Sequence, residues 1–92
     1  MTKVHNILSP KSNKPVANQF IIETPDGEYF QSYKSVIAFK PNKREAKIVL
    51  DEKYHDYSKT TVKYRNQFLN MTTQEVNVAI EKGEILLNNL NK

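Results

Sequence analysis

Polar and apolar positions alternate through the first half of the chain and recur every three or four residues in the second. Residues 16–24 are rich in β-branched and aromatic types, with Phe20 and Ile22 on one side and Ile21 on the other, which predicts a strand. Pro25-Asp26-Gly27 follows. Proline presets φ, aspartate bonds its own backbone and glycine supplies a positive φ, so a tight hairpin is expected. Residues 28–33 return with Tyr29, Gln31 and Tyr33 on one side and Phe30 and Ser32 on the other. Lys34-Ser35 makes a second short turn, residues 36–39 a brief apolar strand, residues 41–45 a basic turn, and residues 46–50 a fourth strand. Connections this short favour an antiparallel meander, because parallel crossovers need a dozen or more residues.

After Asp51 the period changes. Thr61, Tyr64, Arg65, Phe68 and Leu69 share one helical face, with Ser58 or Thr60 as N-cap. Thr72-Thr73-Gln74-Glu75 reads as a capping box opening a second helix, whose apolar stripe is Val76, Ala79 and Ile80. Gly83 sits where a helix C-terminal glycine belongs. The apolar run from Ile85 to Leu90 is too short to classify and fits either a short strand or an extended arm. Residues 1–15, polar and broken by Pro10 and Pro15, read as a flexible N-terminal tail on which Val4, Ile7 and Leu8 could still dock. The expectation is an α+β fold: a four-stranded antiparallel β-meander followed by two α-helices packed on one face, forming one domain over residues 16–92. The other face would be wet or open to a partner. Ile21, grouped with Tyr29 and Tyr33 on that second face, argues for local packing or an interface there.

Composition narrows the chemistry. With 92 residues and no Cys, the core must hold without disulfides, and a reducing compartment fits. No apolar run approaches the length of a membrane span, and the first ten residues lack the apolar core of a signal peptide, so a cytoplasmic protein is expected. The net charge of +4 is uneven: residues 1–50 carry eight Lys/Arg against four Asp/Glu, and residues 51–92 carry six against six. A basic excess steers a protein toward polyanions, and equally keeps a surface soluble.

No catalytic constellation is visible, and no enzyme, metal site or cofactor is expected. Thiol nucleophiles and thiolate zinc sites are excluded without Cys. His5 falls in the tail and His55 in a loop, where solvation is expected. The chain's two glycines make no phosphate-cradling loop. Asp51, Glu52 and Asp56 cluster at a helix start, where carboxylates meet the helix dipole favourably. Basic and aromatic residues offer more. Lys34, Lys40, Lys43, Arg44 and Lys47 would follow a phosphate backbone, Lys59 and Lys63 lie on the outside of the first helix, and Tyr29 and Tyr33 would stack bases. The competing reading is that these rings pack the core while the lysines keep it soluble.

The strings Val16-Ala17-Asn18-Gln19-Phe20, Tyr29-Phe30-Gln31-Ser32-Tyr33-Lys34-Ser35-Val36-Ile37-Ala38 and Tyr57-Ser58-Lys59-Thr60-Thr61-Val62-Lys63-Tyr64-Arg65-Asn66-Gln67-Phe68-Leu69 resemble a group of small proteins encoded by phages and plasmids, chiefly of Gram-positive bacteria. That resemblance spans about residues 16–90 and implies a context, a mobile element, without an activity. The order of strands then helix is similar, in topology alone, to the single-strand DNA-binding fold of the transcriptional coactivator PC4 type. The expected function is a non-enzymatic binding module contacting single-stranded nucleic acid through its sheet, with a homodimer allowed. The alternative is a protein–protein module, such as a phage inhibitor of a host or defence protein, anchored by exposed Tyr and Phe.

Overall fold

The computed structural model describes residues 2–91. Its order is β1 (Lys3–Leu8), β2 (Pro15–Thr24), β3 (Gly27–Ser32), β4 (Ser35–Pro41), β5 (Ile48–Asp51), α1 (Lys59–Leu69), α2 (Thr73–Glu81) and β6 (Ile85–Asn88). The fold is α+β, and the expected meander is present as β2 to β5. The sheet has six strands rather than four, in the order β1-β2-β3-β4-β5-β6.

Both additional strands come from the ends. Residues 3–8, expected in a flexible tail, pair antiparallel with β2 as an edge strand. Ile7 enters the core, Leu8 O accepts from Gln67 Nε2 at 2.7 Å, and Asn6 Nδ2 donates to Val16 O at 2.9 Å. Of the two options for the apolar C-terminal run, the strand is the one formed. β6 lies parallel to β5, and the helical segment between them supplies the long crossover that parallel neighbours require.

The hairpin at Pro25-Asp26-Gly27 forms as expected, and Thr24 adds a lock: its hydroxyl donates to Gly27 O and accepts from the Gly27 amide. A side chain at Gly27 would overlap the Lys40 carbonyl oxygen and come within 2.8 Å of Pro41 Cα, so only glycine lets β3 and β4 close here.

The helices follow their sequence signals. Ser58 caps α1, its Oγ accepting from the Thr61 amide at 3.1 Å. Thr72 and Glu75 form the reciprocal capping box of α2. The buried residues of α1 are Thr61, Tyr64, Arg65, Phe68 and Leu69, the face its periodicity defines. That face packs on one side of the sheet: the Phe30 and Phe68 rings stack at 5.8 Å, and Ser32 and Thr61 share a hydrogen bond of 3.0 Å. The core comprises Ile7, Ile21, Phe30, Ile37, Ala38, Leu50, Ile85 and the inner faces of both helices.

A bulge in β4 and the register of β2 on β3 decide which residues face the helices. Phe30 pairs with Ala38 but Gln31 with Val36, so Ile37 is an extra residue in β4. This bulge turns Ile37 and Ala38 both into the core at 0% exposure, where strict alternation would bury only one. Asn18 takes a positive φ of 65° within β2, and its carbonyl accepts from the Tyr33 amide at 2.7 Å. The grouping of Ile21 with Tyr29 is corrected by the regular register of the β2–β3 hairpin: Ile21 pairs with Phe30 on the helix side, and Ile22 pairs with Tyr29 on the other.

Candidate interaction surface

Cross-strand partners point to the same side of a sheet, so the register assigns each face. On the side away from the helices one row runs through all six strands: Val4, Ile22, Tyr29, Phe39, Val49 and Leu86. Every member is apolar or aromatic. Beside it runs Asn6, Phe20, Gln31 and Val36. At the ends of the first row Val4 is 61% and Leu86 46% exposed. Between them Ile22, Tyr29, Phe39 and Val49 are half-buried. Tyr29 and Phe39 form the centre, with ring centroids 4.5 Å apart and planes tilted by 34°. A shallow depression of about 270 Å³, lined by Pro25, Asp26, Phe39, Pro41, Asn42 and Lys43, extends this row toward the hairpin end.

Charge is partitioned just as sharply. Lys3, Glu23, Glu28 and Lys40 form one cross-strand row, and His5 pairs with Ile21. All five belong to the helix side of the sheet. They interact among themselves there, His5 with Glu23 at 3.4 Å and Lys40 with Glu28 at 3.7 Å. The remaining charged strand residue, Asp51, is 1% exposed and turned onto the C-terminal segment.

Of the residues expected to bind nucleic acid, Lys43 comes near Tyr29, lining the depression that holds Phe39, while the others lie elsewhere. Tyr33, 50% exposed, and Lys34 sit in the β3–β4 turn at one end of the sheet. Lys43 and Arg44 are exposed in the β4–β5 loop at the opposite end, where the Asn42 amide donates to Asp26 O. Lys40, expected to be free for phosphate, instead donates to Phe68 O at 3.2 Å and lies 4.8 Å from the Phe68 ring centroid, neutralising the C-terminal carbonyls of α1. Lys47 likewise donates to Gly83 O at 2.7 Å. Lys59 and Lys63 project from α1 into a groove of about 490 Å³ shared with Tyr57 and Val62, remote from Tyr29.

Two polar centres were not legible in the sequence as such. His55, expected to be solvated, is 9% exposed, and its Nδ1 lies 3.1 Å from Arg65 Nη1. Arg65 is 1% exposed and donates also to His55 O and, through Nε and Nη2, to Asn66 Oδ1. The guanidinium is a permanent donor, so Nδ1 of His55 is the acceptor and its proton sits on Nε2. Burial pushes the His55 pKa below its ordinary value; Asp56 pulls upward and Arg65 downward. Asp51, expected to serve the helix dipole, instead ends β5 and joins two segments. Its Oδ2 accepts from the Lys53 and Tyr54 amides, and its Oδ1 from the Leu90 amide and Asn91 Nδ2. Burial opposes ionisation of Asp51, but these four donors outweigh it and hold its pKa below the ordinary value. Asn91 in turn bonds both backbone groups of Val36, extending the β4 edge where β5 does not reach.

Among the described residues no cluster of three or more His, Cys, Asp or Glu is placed to hold a metal ion, and no helix is long and apolar enough to cross a membrane. A family model described as a family of unknown function (DUF8033) matches residues 2–85. No curated protein and no solved structure matches the chain.

Proposed function

The chain belongs to that family of unknown function, and we propose that it acts by binding, with the open face of its sheet engaging a protein partner. The observation that carries this reading is the uninterrupted apolar row from Val4 to Leu86, whose members are apolar or aromatic on all six strands. Exposed contiguous apolar surface is costly to maintain in water and marks interaction sites. Aromatic side chains at the centre of such a face, here Tyr29, Phe39 and Phe20, are the types that dominate interface energetics. The resemblance to phage and plasmid proteins supports a mobile-element setting, with a host or defence protein as the class of partner.

Single-stranded nucleic acid is the second reading. It is favoured by the position of Tyr29 on the open face and by the exposure of Tyr33. Against it stands the distribution of the cations, since phosphate contacts supply most of such affinity and two of the expected lysines, Lys40 and Lys47, are held by the Phe68 and Gly83 carbonyls.

One paired experiment separates the two. Immobilised wild-type chain and a Phe39→Lys variant are exposed to nuclease-treated host lysate, and the free chain is titrated with short labelled oligonucleotides at low salt. A protein retained by wild type and lost with Phe39→Lys supports the first reading. Tight oligonucleotide binding that falls steeply with salt, unchanged by Phe39→Lys, overturns it.

A further inference from the structure

We infer that the open face has a specific occupant, a second copy of this chain, with two sheets packed face to face across the Val4–Leu86 row. This deepens the reading of the same face as a protein-binding surface and rests on it.

Charge is the first argument. The chain carries +4, so two copies repel each other overall and meet most easily where charge is least. The charged strand residues Lys3, Glu23, Glu28 and Lys40, with His5 beside them, all lie on the helix side. Along the strands of the open face two copies meet without doubling a charge, and at its hairpin rim Asp26 and Lys43 carry opposite signs.

Self-complementarity is the second. A two-fold interface must match its own surface, and an apolar sheet face does so readily, as the inner faces of β-sandwiches show. The row is symmetric in character about its centre, with β-branched and aliphatic residues at both ends and the Tyr29–Phe39 pair between the two central strands. Two such faces about 10 Å apart would interdigitate these rings with those of the copy.

Area is the third. Six strands spaced at about 4.8 Å and two rows about 7 Å apart give a patch of roughly 30 by 15 Å, or about 450 Å² on each copy. The pair would bury about 900 Å², just below the roughly 1,000 Å² of a stable specific interface. A reversible dimer is therefore expected, dissociating on dilution through the micromolar range.

Sedimentation velocity tests this with the full chain, from about 5 to about 500 µM, a range that spans the dissociation of a weak, reversible dimer. Wild type is expected to pass from monomer to dimer, with no weakening in high salt. Phe39→Lys should remain monomeric throughout. Leu86→Lys changes a residue already 46% exposed and so leaves the fold intact; it should weaken association at least tenfold. Lys59→Glu, on the outside of α1, should associate as wild type does. A wild type that stays monomeric at the highest concentration overturns the inference, as does Leu86→Lys dimerising like wild type. If wild type is monomeric but Phe39→Lys abolishes capture of a lysate protein, only the second copy is lost and the protein-binding reading stands.

Discussion

Replacing Asp51 by Ala removes one carboxylate and strands four donors at once. Lys53 N at 3.1 Å, Tyr54 N at 2.8 Å, Leu90 N at 2.8 Å and Asn91 Nδ2 at 2.9 Å all point at it. Hydrogen bonds to a charged group contribute about 1.5–3 kcal/mol each, so simple addition gives roughly 6–12 kcal/mol. That sum overshoots, because Glu52, Lys53 and Asn89 are exposed and water will reach the donors beside them. Only Tyr54, Leu90 and Asn91 are partly shielded. Counting about two donors left unsatisfied gives about 3–4 kcal/mol. A chain of 92 residues has a total stability of roughly 5–14 kcal/mol, so this is a large fraction of it. The melting temperature should fall by about 15–25 °C. Urea unfolding at pH 7 measures the loss directly, through a lowered midpoint at unchanged slope. Asn91→Ala, which loses the two Val36 bonds and one to Asp51, should cost less, about 1–2 kcal/mol. An Asp51→Ala cost below about 1 kcal/mol, or an Asn91→Ala cost exceeding it, would show that Asp51 does not join the β5 end to the C-terminal segment.

Other perturbations test the polar interior and the turns. Gln19 is 0% exposed and neither amide atom has a hydrogen-bond partner, so Gln19→Met should raise stability by about 1–2 kcal/mol in urea unfolding. His55 is depressed in the folded state, so the unfolded chain binds the proton more readily; stability is complete above the ordinary value of 6.5 and is lost as pH falls below it. Unfolding free energies measured from pH 8 to pH 5 should drop by up to about 1.4 kcal/mol per pH unit, and His55→Asn, which keeps an acceptor for Arg65, should flatten that slope. Tyr33 holds a positive φ of 56°, which costs a non-glycine residue about 1 kcal/mol. Tyr33→Asn should therefore gain several tenths of a kcal/mol in thermal unfolding, and a loss instead would assign the Tyr33 ring a packing role.

What could be read from the sequence was local. Pro25-Asp26-Gly27, the Ser58 cap, the Thr72–Glu75 box and the period of Thr61 to Leu69 are each specified within one turn or one helix, and each appears where expected. What depended on distant pairing was not legible. Residues 3–8 look like a tail because Pro10 and Pro15 flank a polar stretch, yet that stretch is a turn, with Ser9 and Lys14 bonded across it. Ile85 to Asn88 has no diagnostic period because both its pairing partner and its covering helix lie elsewhere in the chain. The candidate surface was half legible. The sequence marks Tyr29 but places lysines and Ile21 beside it. The bulge at Ile37 and the register of β2 on β3 make them Ile22 and Phe39 instead. Lys40 and Lys47 read as free cations because the carbonyls of Phe68 and Gly83 that they meet are 28 and 36 residues away in sequence. Asp51 read as a helix-start carboxylate for the same reason: two of its donors, Leu90 and Asn91, lie at the far end of the chain.

The most direct test of the open face as the interaction surface is a map of amide chemical shifts between dilute and concentrated wild-type protein. Concentration-dependent shifts confined to Val4, Ile22, Tyr29, Phe39, Val49 and Leu86 and their strand neighbours, with Lys59, Lys63 and Asn77 on the helices unmoved, are the predicted result. Shifts centred on the helices or the Lys43–Arg44 loop, with the six-strand row silent, would contradict it.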